Sequence, residues 1–344
     1  MSSDFDIDLK DITNKFINSE SYNLVSNYWH VLNIVNYKQL MSQGIENYST
    51  TVAKNYSTFT KYKDENLSQS LISLNHNEVS INAEIFKQHR NFSVKESLDY
   101  NLLTLILYFK LKNMDCFKFF KQLSDVGFFG FGDPFLEVNN LKISSDKVLS
   151  ILDYDKISRA FNISNFKTIL ELGAGSGRTT EVIITMNDSL NYVICDIPPA
   201  IYVSYKRLKK VFPEKKISLL FNHGDKKNLQ SKISENDISF IFPHQLKLLE
   251  RDFMDLVIAI DCLHEMDQAT IKFYLEGINK ISKNFYFSIW KKTKVPYSKG
   301  YFKGNNILDY EAGDYNIPGT WLETFKEDLV FPSNQLGLGY EIQD

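Results

Sequence analysis

The stretch Thr168-Ile-Leu-Glu-Leu-Gly-Ala-Gly-Ser-Gly-Arg178 decides the fold. A β-branched run leads into Glu171, glycines follow at Gly173, Gly175 and Gly177, and a helix-suited segment begins at Arg178. Glycines in a strand-to-helix turn let the backbone bend sharply and approach a ligand closely. The spacing is E-x-G-x-G-x-G, whereas a dinucleotide turn is G-x-G-x-x-G. A carboxylate ahead of the first glycine can face an ammonium group. It suits a pyrophosphate poorly, because that group wants a helix N-terminus free of nearby negative charge.

Downstream of this turn, short β-branched runs alternate with helix-suited segments. The expected strands are Lys167–Leu172, Tyr192–Asp196, Ile217–Phe221, Asp255–Ile260 and Phe285–Trp290. Such alternation implies a mostly parallel sheet with helices on both faces. Ile238–Phe242 reads either as an extra short strand or as a buried loop, and the Gly-, Pro- and aromatic-rich C-terminal end suits a β-hairpin at the sheet edge. Upstream, Leu24, Tyr28, Val31, Leu32 and Val35 recur at helical spacing. Tyr100–Leu123 reads as a buried helix followed by an aromatic-rich amphipathic one, and Gly127, Gly130, Gly132 and Pro134 break the pattern. A short strand and a helix around Ser145–Phe161 connect the two parts. The expected division is a mainly helical N-terminal domain over 1–140, serving as a lid or dimer interface, and a Rossmann-like domain over 141–344.

Asp196 lies nineteen residues after Gly177, at the end of the next strand. A carboxylate there can accept hydrogen bonds from both hydroxyls of a ribose; it can also cap the helix that opens at Pro198–Pro199. Ile197 is placed to pack on an adenine face. Asp225, after the third expected strand, is placed to reach an adenine amino group or to serve as a turn residue, and His223 reads as a turn residue. Together the glycine turn and the strand-end acid resemble class I S-adenosylmethionine-dependent methyltransferases over about residues 150–290. The resemblance implies a seven-stranded sheet with the cofactor, and its product S-adenosylhomocysteine, across the C-terminal strand ends.

Asp255-Leu-Val-Ile-Ala-Ile-Asp-Cys-Leu-His-Glu-Met-Asp267 carries the candidate chemistry. Strand ends in such a sheet face the ligand crevice, so Asp261 to Met266 should line it. His264 followed by Glu265 resembles the His-acid pair of plant-type small-molecule O-methyltransferases, which implies His264 as general base and Glu265 as its orienting partner. A packed histidine supporting the loop and a solvated glutamate are the plain alternatives. Asp267 reads as the N-cap of a helix over Thr270–Ser282. Asp261, His264, Glu265 and Asp267 offer ligands of the kind that hold Mg²⁺ or Mn²⁺, but they lie on one short segment with no second cluster, so no metal site is assigned.

A narrower resemblance is to a family of bacterial sugar O-methyltransferases. It rests on Cys195-Asp-Ile-Pro-Pro199 and the basic helix after it, Gly132-Asp-Pro134, Phe240-Ile-Phe-Pro-His-Gln245, Leu263-His-Glu-Met266 and Ser288-Ile-Trp-Lys-Lys292. It implies methylation of a sugar hydroxyl on a nucleotide-linked or lipid-linked glycan, in surface-polysaccharide synthesis. The chain departs from it at His244, where an aromatic is expected. Trp29, Trp290 and Trp321 offer either stacking surfaces for a pyranose ring or core packing, and Tyr297 and Tyr301 are placed for substrate contacts.

Composition sets the outer limits. The 344 residues are 43% hydrophobic and 24% charged, enough for about two domains with a sizeable core. A net charge of −3 is unlike that of a nucleic-acid binder. The basic run Lys206–Lys216 reads as a solvated helix face, or as a landing strip for an anionic substrate. Three cysteines without a C-x-x-C pattern suit a reducing compartment, and no stretch approaches a membrane span, so a cytoplasmic protein is expected. The competing readings are an O-methyltransferase for a non-sugar acceptor, a non-catalytic cofactor-binding scaffold, and an NAD-dependent enzyme, which the glycine spacing argues against.

Overall fold

The computed structural model describes residues 8–55, 88–222, 225–295, 308–328 and 335–343. The first helix, α1 (Leu9–Ile17), is capped by the Asp8 carboxylate and buries Leu9, Ile12 and Phe16. Helix α2 (Asn27–Gln43) ends at Gly44, which takes φ 78°. In α3 (Val94–Lys112) a reciprocal cap between Ser93 and Glu96 satisfies backbone donors of the first turn. The short α4 (Asp125–Phe129), the hairpin β1 (Leu136–Val138) and β2 (Leu141–Ile143), and α5 (Ser145–Ala160) complete the part before the glycine turn.

The chain then runs β3 (Thr168–Leu172), α6 (Arg178–Met186), β4 (Asn191–Cys195), α7 (Ala200–Val211), β5 (Ile217–Leu219), α8 (Lys226–Ser234), β6 (Ile238–Ile241), β7 (Leu256–Ile260), α9 (Gln268–Ile281) and β8 (Asn284–Trp290). A small antiparallel pair, β9 (Lys292–Val295) and β10 (Leu308–Glu311), stands apart from the main sheet. The edge hairpin is β11 (Trp321–Asp328) and β12 (Gln335–Ile342), with β12 antiparallel to β8. The main sheet has the order β11-β12-β8-β7-β3-β4-β6-β5, and β3 to β8 are mutually parallel. This is the expected Rossmann-like α/β arrangement, a mostly parallel sheet with helices before it.

Among the described residues the sheet has eight strands, not seven. The added member is the segment that the sequence left open. Ile238–Ile241 is buried at all four positions and pairs with β4 on one side and β5 on the other. A central strand buried on both faces shows no alternation, so four residues of this kind look like any buried loop. Its insertion moves the outermost strand, β5, one place away from β4.

Alternate residues of each strand serve separate cores. Ile169, Tyr192, Ile258 and Tyr286 belong to one cluster; Leu170, Val193, Val257 and Phe285 belong to the other. The first cluster continues without interruption into Phe16, Tyr48, Leu107 and Phe120 of the N-terminal part. A buried ion pair ties the same two parts together. Arg207 of α7, near the start of the basic run, lies by the rings of Phe128 and Phe131 and donates to Asp133 at 3.0 Å. The Ser49 hydroxyl donates to the same carboxylate. Register places the ends of β3, β4 and β7 level, with Leu172 beside Cys195 and beside Ala259. The residues that follow each strand therefore emerge together at one edge, where ligands bind in open parallel sheets.

Candidate active site

A cavity of about 240 Å³ opens at that edge. Glu171, Gly173, Gly175, Asp196, Ile197, Asp261, His264 and Glu265 all line it. Gly177 and Asp225 do not. Gly177 opens α6 at φ 75°, and a Cβ there would sit 3.1 Å from that of Ser204, so its smallness serves the packing of α6 on α7. Asp225 follows β5, two strands out from β4, and caps α8 by accepting from the Asn228 amide at 2.9 Å. With β6 lying between β4 and β5, Asp225 stands outside this cavity wall.

The three glycines have different tasks. Gly173 (φ 68°) would bring a Cβ within 2.7 Å of Cys262 Cβ, a clash with the neighbouring strand end. Gly175 (φ 58°) has nothing within 4 Å of where a Cβ would be, so its open side is left for a ligand. The Gly175 amide donates to Asp196 Oδ2 at 2.8 Å, and the Ile197 amide to Oδ1 at 2.7 Å. Asp196 is thus fixed by the glycine turn and its own strand end, and it does not cap α7. Burial pushes its carboxyl up to about 7 against the pull of these two donors.

Glu171 is buried and accepts from the Thr180 hydroxyl and, at 2.9 Å, from Tyr192. Burial raises it as well. Asp261 adopts φ 53°, a left-handed conformation that a residue with a side chain seldom takes. Its Oδ1 accepts from Ser288 at 3.0 Å and Gln335 at 2.9 Å, which holds the carboxylate at the cavity wall. His264 packs edge-on to Trp290 at 6.1 Å, and its buried Nδ1 makes no hydrogen bond among the described residues. Burial pushes the imidazole down to about 3, so it is neutral throughout the physiological range. The Glu265 carboxylate does not bond Nδ1; the Glu265 backbone carbonyl accepts from Ser26 at 3.4 Å.

The sequence reading passed over the wall made by α5. Asp146, Leu149, Asp153 and Lys156 all line the cavity, and their 3-4-3 spacing puts them on one helix face. Lys156 lies 3.9 Å from Asp153, and Arg178 lies 3.9 Å from Asp146. Both signals were present in the sequence: charged residues at helical spacing, and an arginine directly after the last glycine. Six carboxylates therefore line the cavity (Asp146, Asp153, Glu171, Asp196, Asp261 and Glu265) against two cations, Lys156 and Arg178.

Trp29 and Trp290 line the cavity, whereas Trp321 packs on Phe285 and donates to Asn279. Asp267 caps α9, accepting from the Thr270 amide at 2.8 Å. His244 is not in the cavity wall; its ring and backbone amide bond the Ser21 hydroxyl at 2.7 and 2.8 Å, which docks the segment after α1. His223, Tyr297 and Tyr301 lie outside the described residues. Among the described residues no group of three or more His, Cys, Asp or Glu side chains is arranged to hold a metal, and no helix is long and apolar enough to cross a membrane. The three cysteines are buried and unpaired.

No family model matches the chain, and no curated protein matches it. Solved structures similar to it include the pyocyanin biosynthetic protein PhzM, at 14% identity and a TM-score of 0.38, over 67% of this chain and 62% of that one. A SAM-dependent methyltransferase from Aquifex aeolicus matches at 14% identity and a TM-score of 0.37, over 67% of this chain and 100% of that one. An S-adenosylmethionine-dependent methyltransferase from Clostridium acetobutylicum matches at 12% identity and a TM-score of 0.37, over 57% and 91%. The assignment of the fold rests on the strand order and register above.

Proposed function

We propose that the protein is an S-adenosylmethionine-dependent O-methyltransferase acting on a small acceptor, with a sugar hydroxyl as the group methylated. The observation that carries this reading is the charge of the cavity. Its lining has six carboxylates and two cations beside an open Gly175 and the strand-end Asp196. S-adenosylmethionine carries a sulfonium, an ammonium and one carboxylate, so it is a net cation, and such a wall attracts it. A dinucleotide is an anion and is repelled. Glu171, Asp153 and Asp261 suit the ammonium, Arg178 and Lys156 suit the carboxylate, and Asp196 suits the ribose hydroxyls.

When bound, the cofactor supplies an electrophilic methyl group. The chain's own residues must hold the acceptor oxygen in line with it and receive the hydroxyl proton. His264 is the group we assign to that proton. Being neutral, it has a nitrogen lone pair available, and its buried, apolar setting keeps water away. Glu265, next to it in sequence, is the residue we assign to orienting the imidazole once substrate is bound. The sugar acceptor rests on the family resemblance, with the presence of Trp29 and Trp290 in the wall as support. Homodimerisation and a place in glycan synthesis are part of the same proposal. Calorimetric titration with S-adenosylhomocysteine tests the reading: micromolar binding is expected, and absence of binding overturns it.

A further inference from the structure

Helix α2 has no continuous apolar face: Leu40 is buried, but so is Asn36. Ile34 and Met41 are 56% and 57% exposed, whereas Asn36 is 2% exposed. Ser26, Trp29, Asn33 and Asn36 all line the cavity, at the same 3-4-3 spacing as the stripe on α5. Polar side chains turned inward while apolar ones face water cost stability, and such reversals mark functional surfaces.

The two stripes differ in charge. The α5 stripe carries Asp146, Asp153 and Lys156; the α2 stripe carries a hydroxyl, an indole and two carboxamides. The other N-terminal residues in the wall, including Val25, Tyr48, Val52 and Leu103, are also uncharged. The charge nearest the start of α2 is negative, since Glu265 acts on Tyr28 there. Lys156 and Arg178 each face a carboxylate. Both contacts are 3.9 Å long, and the methyltransferase reading gives both cations to the cofactor's carboxylate, so with the cofactor bound the described wall has no further cation for a phosphate group.

Resting on the methyltransferase reading, we infer that α2 reads the acceptor, and that the acceptor is an uncharged ring bearing hydroxyl groups, not a sugar diphosphate. Trp29 stacks on the ring, and the Asn33 carboxamide, able to donate and accept, bonds its hydroxyls. A diphosphate brought beside Glu265 would be buried next to like charge.

The test uses the full chain with methyl-labelled cofactor. The acceptors are a panel of p-nitrophenyl hexopyranosides and deoxyhexopyranosides, set against UDP-glucose. Label should enter the neutral glycosides in preference to UDP-glucose. Trp29→Ala and Asn33→Ala should each raise the glycoside KM by about tenfold. Both should hold S-adenosylhomocysteine affinity within about twofold. Trp29→Phe, which keeps a ring, should stay near wild type and guards against a folding artefact. Preferential labelling of UDP-glucose, no labelling of any glycoside, or an unchanged KM in Asn33→Ala overturns the inference. Intact S-adenosylhomocysteine binding in those cases leaves the methyltransferase reading standing; its absence in the wild type removes both.

Discussion

Replacing Asp196 by Asn tests the cofactor site at its most constrained point. Both carboxylate oxygens are held by backbone amides at 2.8 and 2.7 Å, from Gly175 and Ile197. The carboxamide keeps one acceptor but turns an NH₂ toward an N–H donor, and it removes the charge that ribose hydroxyls would bond. Hydrogen bonds to a charged group contribute about 1.5–3 kcal/mol each. A net loss of about 2–3 kcal/mol corresponds to roughly 30–150-fold weaker binding. The variant removes a buried charge that folding must desolvate, so thermal stability should be unchanged or higher at pH 8, which separates a binding defect from a folding one. The free protein's Asp196 titrates at about 7, above its ordinary 3.8. A carboxyl raised on folding opposes stability as pH rises from that ordinary value toward 7, and binding, which uses the ionised form, strengthens over the last part of this range. Going from pH 8 to pH 6 should cost about 1.4 kcal/mol, roughly tenfold in affinity. Calorimetry of wild type and Asp196→Asn with S-adenosylhomocysteine at pH 6, 7 and 8 reads both effects. A change under about threefold at pH 8, or an equal pH slope in the two proteins, refutes the assignment of Asp196 to the ribose.

Four further substitutions have defined outcomes. Gly175→Ala should cost about 1–2 kcal/mol of stability through its left-handed backbone, and it should weaken S-adenosylhomocysteine binding further by filling ligand space. Gly173→Ala, which meets Cys262, should lower the denaturation midpoint more than Gly175→Ala does. His264→Gln should cut turnover by about 10²–10⁴-fold with cofactor affinity retained. Because folding lowers the His264 pKa from 6.5 to about 3, its contribution to stability is lost as pH falls below 6.5, where only the unfolded chain takes the proton; wild type should therefore lose more stability between pH 6.5 and 4 than the Gln variant, as denaturant titrations would show. Arg207→Met leaves Asp133 buried beside Glu181 without its cation, and should destabilise by about 3–5 kcal/mol, measured by the same method.

The glycine turn, five strands, the edge hairpin and the helix caps were legible because each is set by local chemistry. Thr168 to Arg178 spells its own strand, turn and helix, and Asp267 announces α9. Asp225 was misplaced because a strand's position in a sheet is decided by its partners, and nothing local tells Ile238–Ile241 that it will lie between β4 and β5. The α5 wall was missed for a related reason. Asp146, Asp153 and Lys156 follow an ordinary surface spacing, and only the packing of α5 beside α6 and the glycine turn makes that face interior. Asp261 was placed at the site by its strand end, but the hold on its carboxylate comes in part from Gln335, which lies seventy-four residues away. In α2 the helix was legible but its polarity was not, since inward-facing asparagines look like a solvent face until the cavity is seen.

The unbroken core that joins the N-terminal helices to one sheet face bears on how this chain can be cut and recombined. Phe16, Tyr48, Leu107 and Phe120 share that core with Ile169, Tyr192 and Tyr286, and the Arg207–Asp133 pair crosses the same boundary. A fragment beginning near residue 140 would present apolar faces of α5 and α7 and a bare guanidinium to water, and it would also lack the α2 side of the cavity. The helices before the glycine turn are not an exchangeable module set on a finished catalytic unit. A chimera that grafts them onto another sheet must carry over the facing sheet residues too, so changes in acceptor choice have to arise within this core, one side chain at a time, under the same packing constraints that hold the fold together.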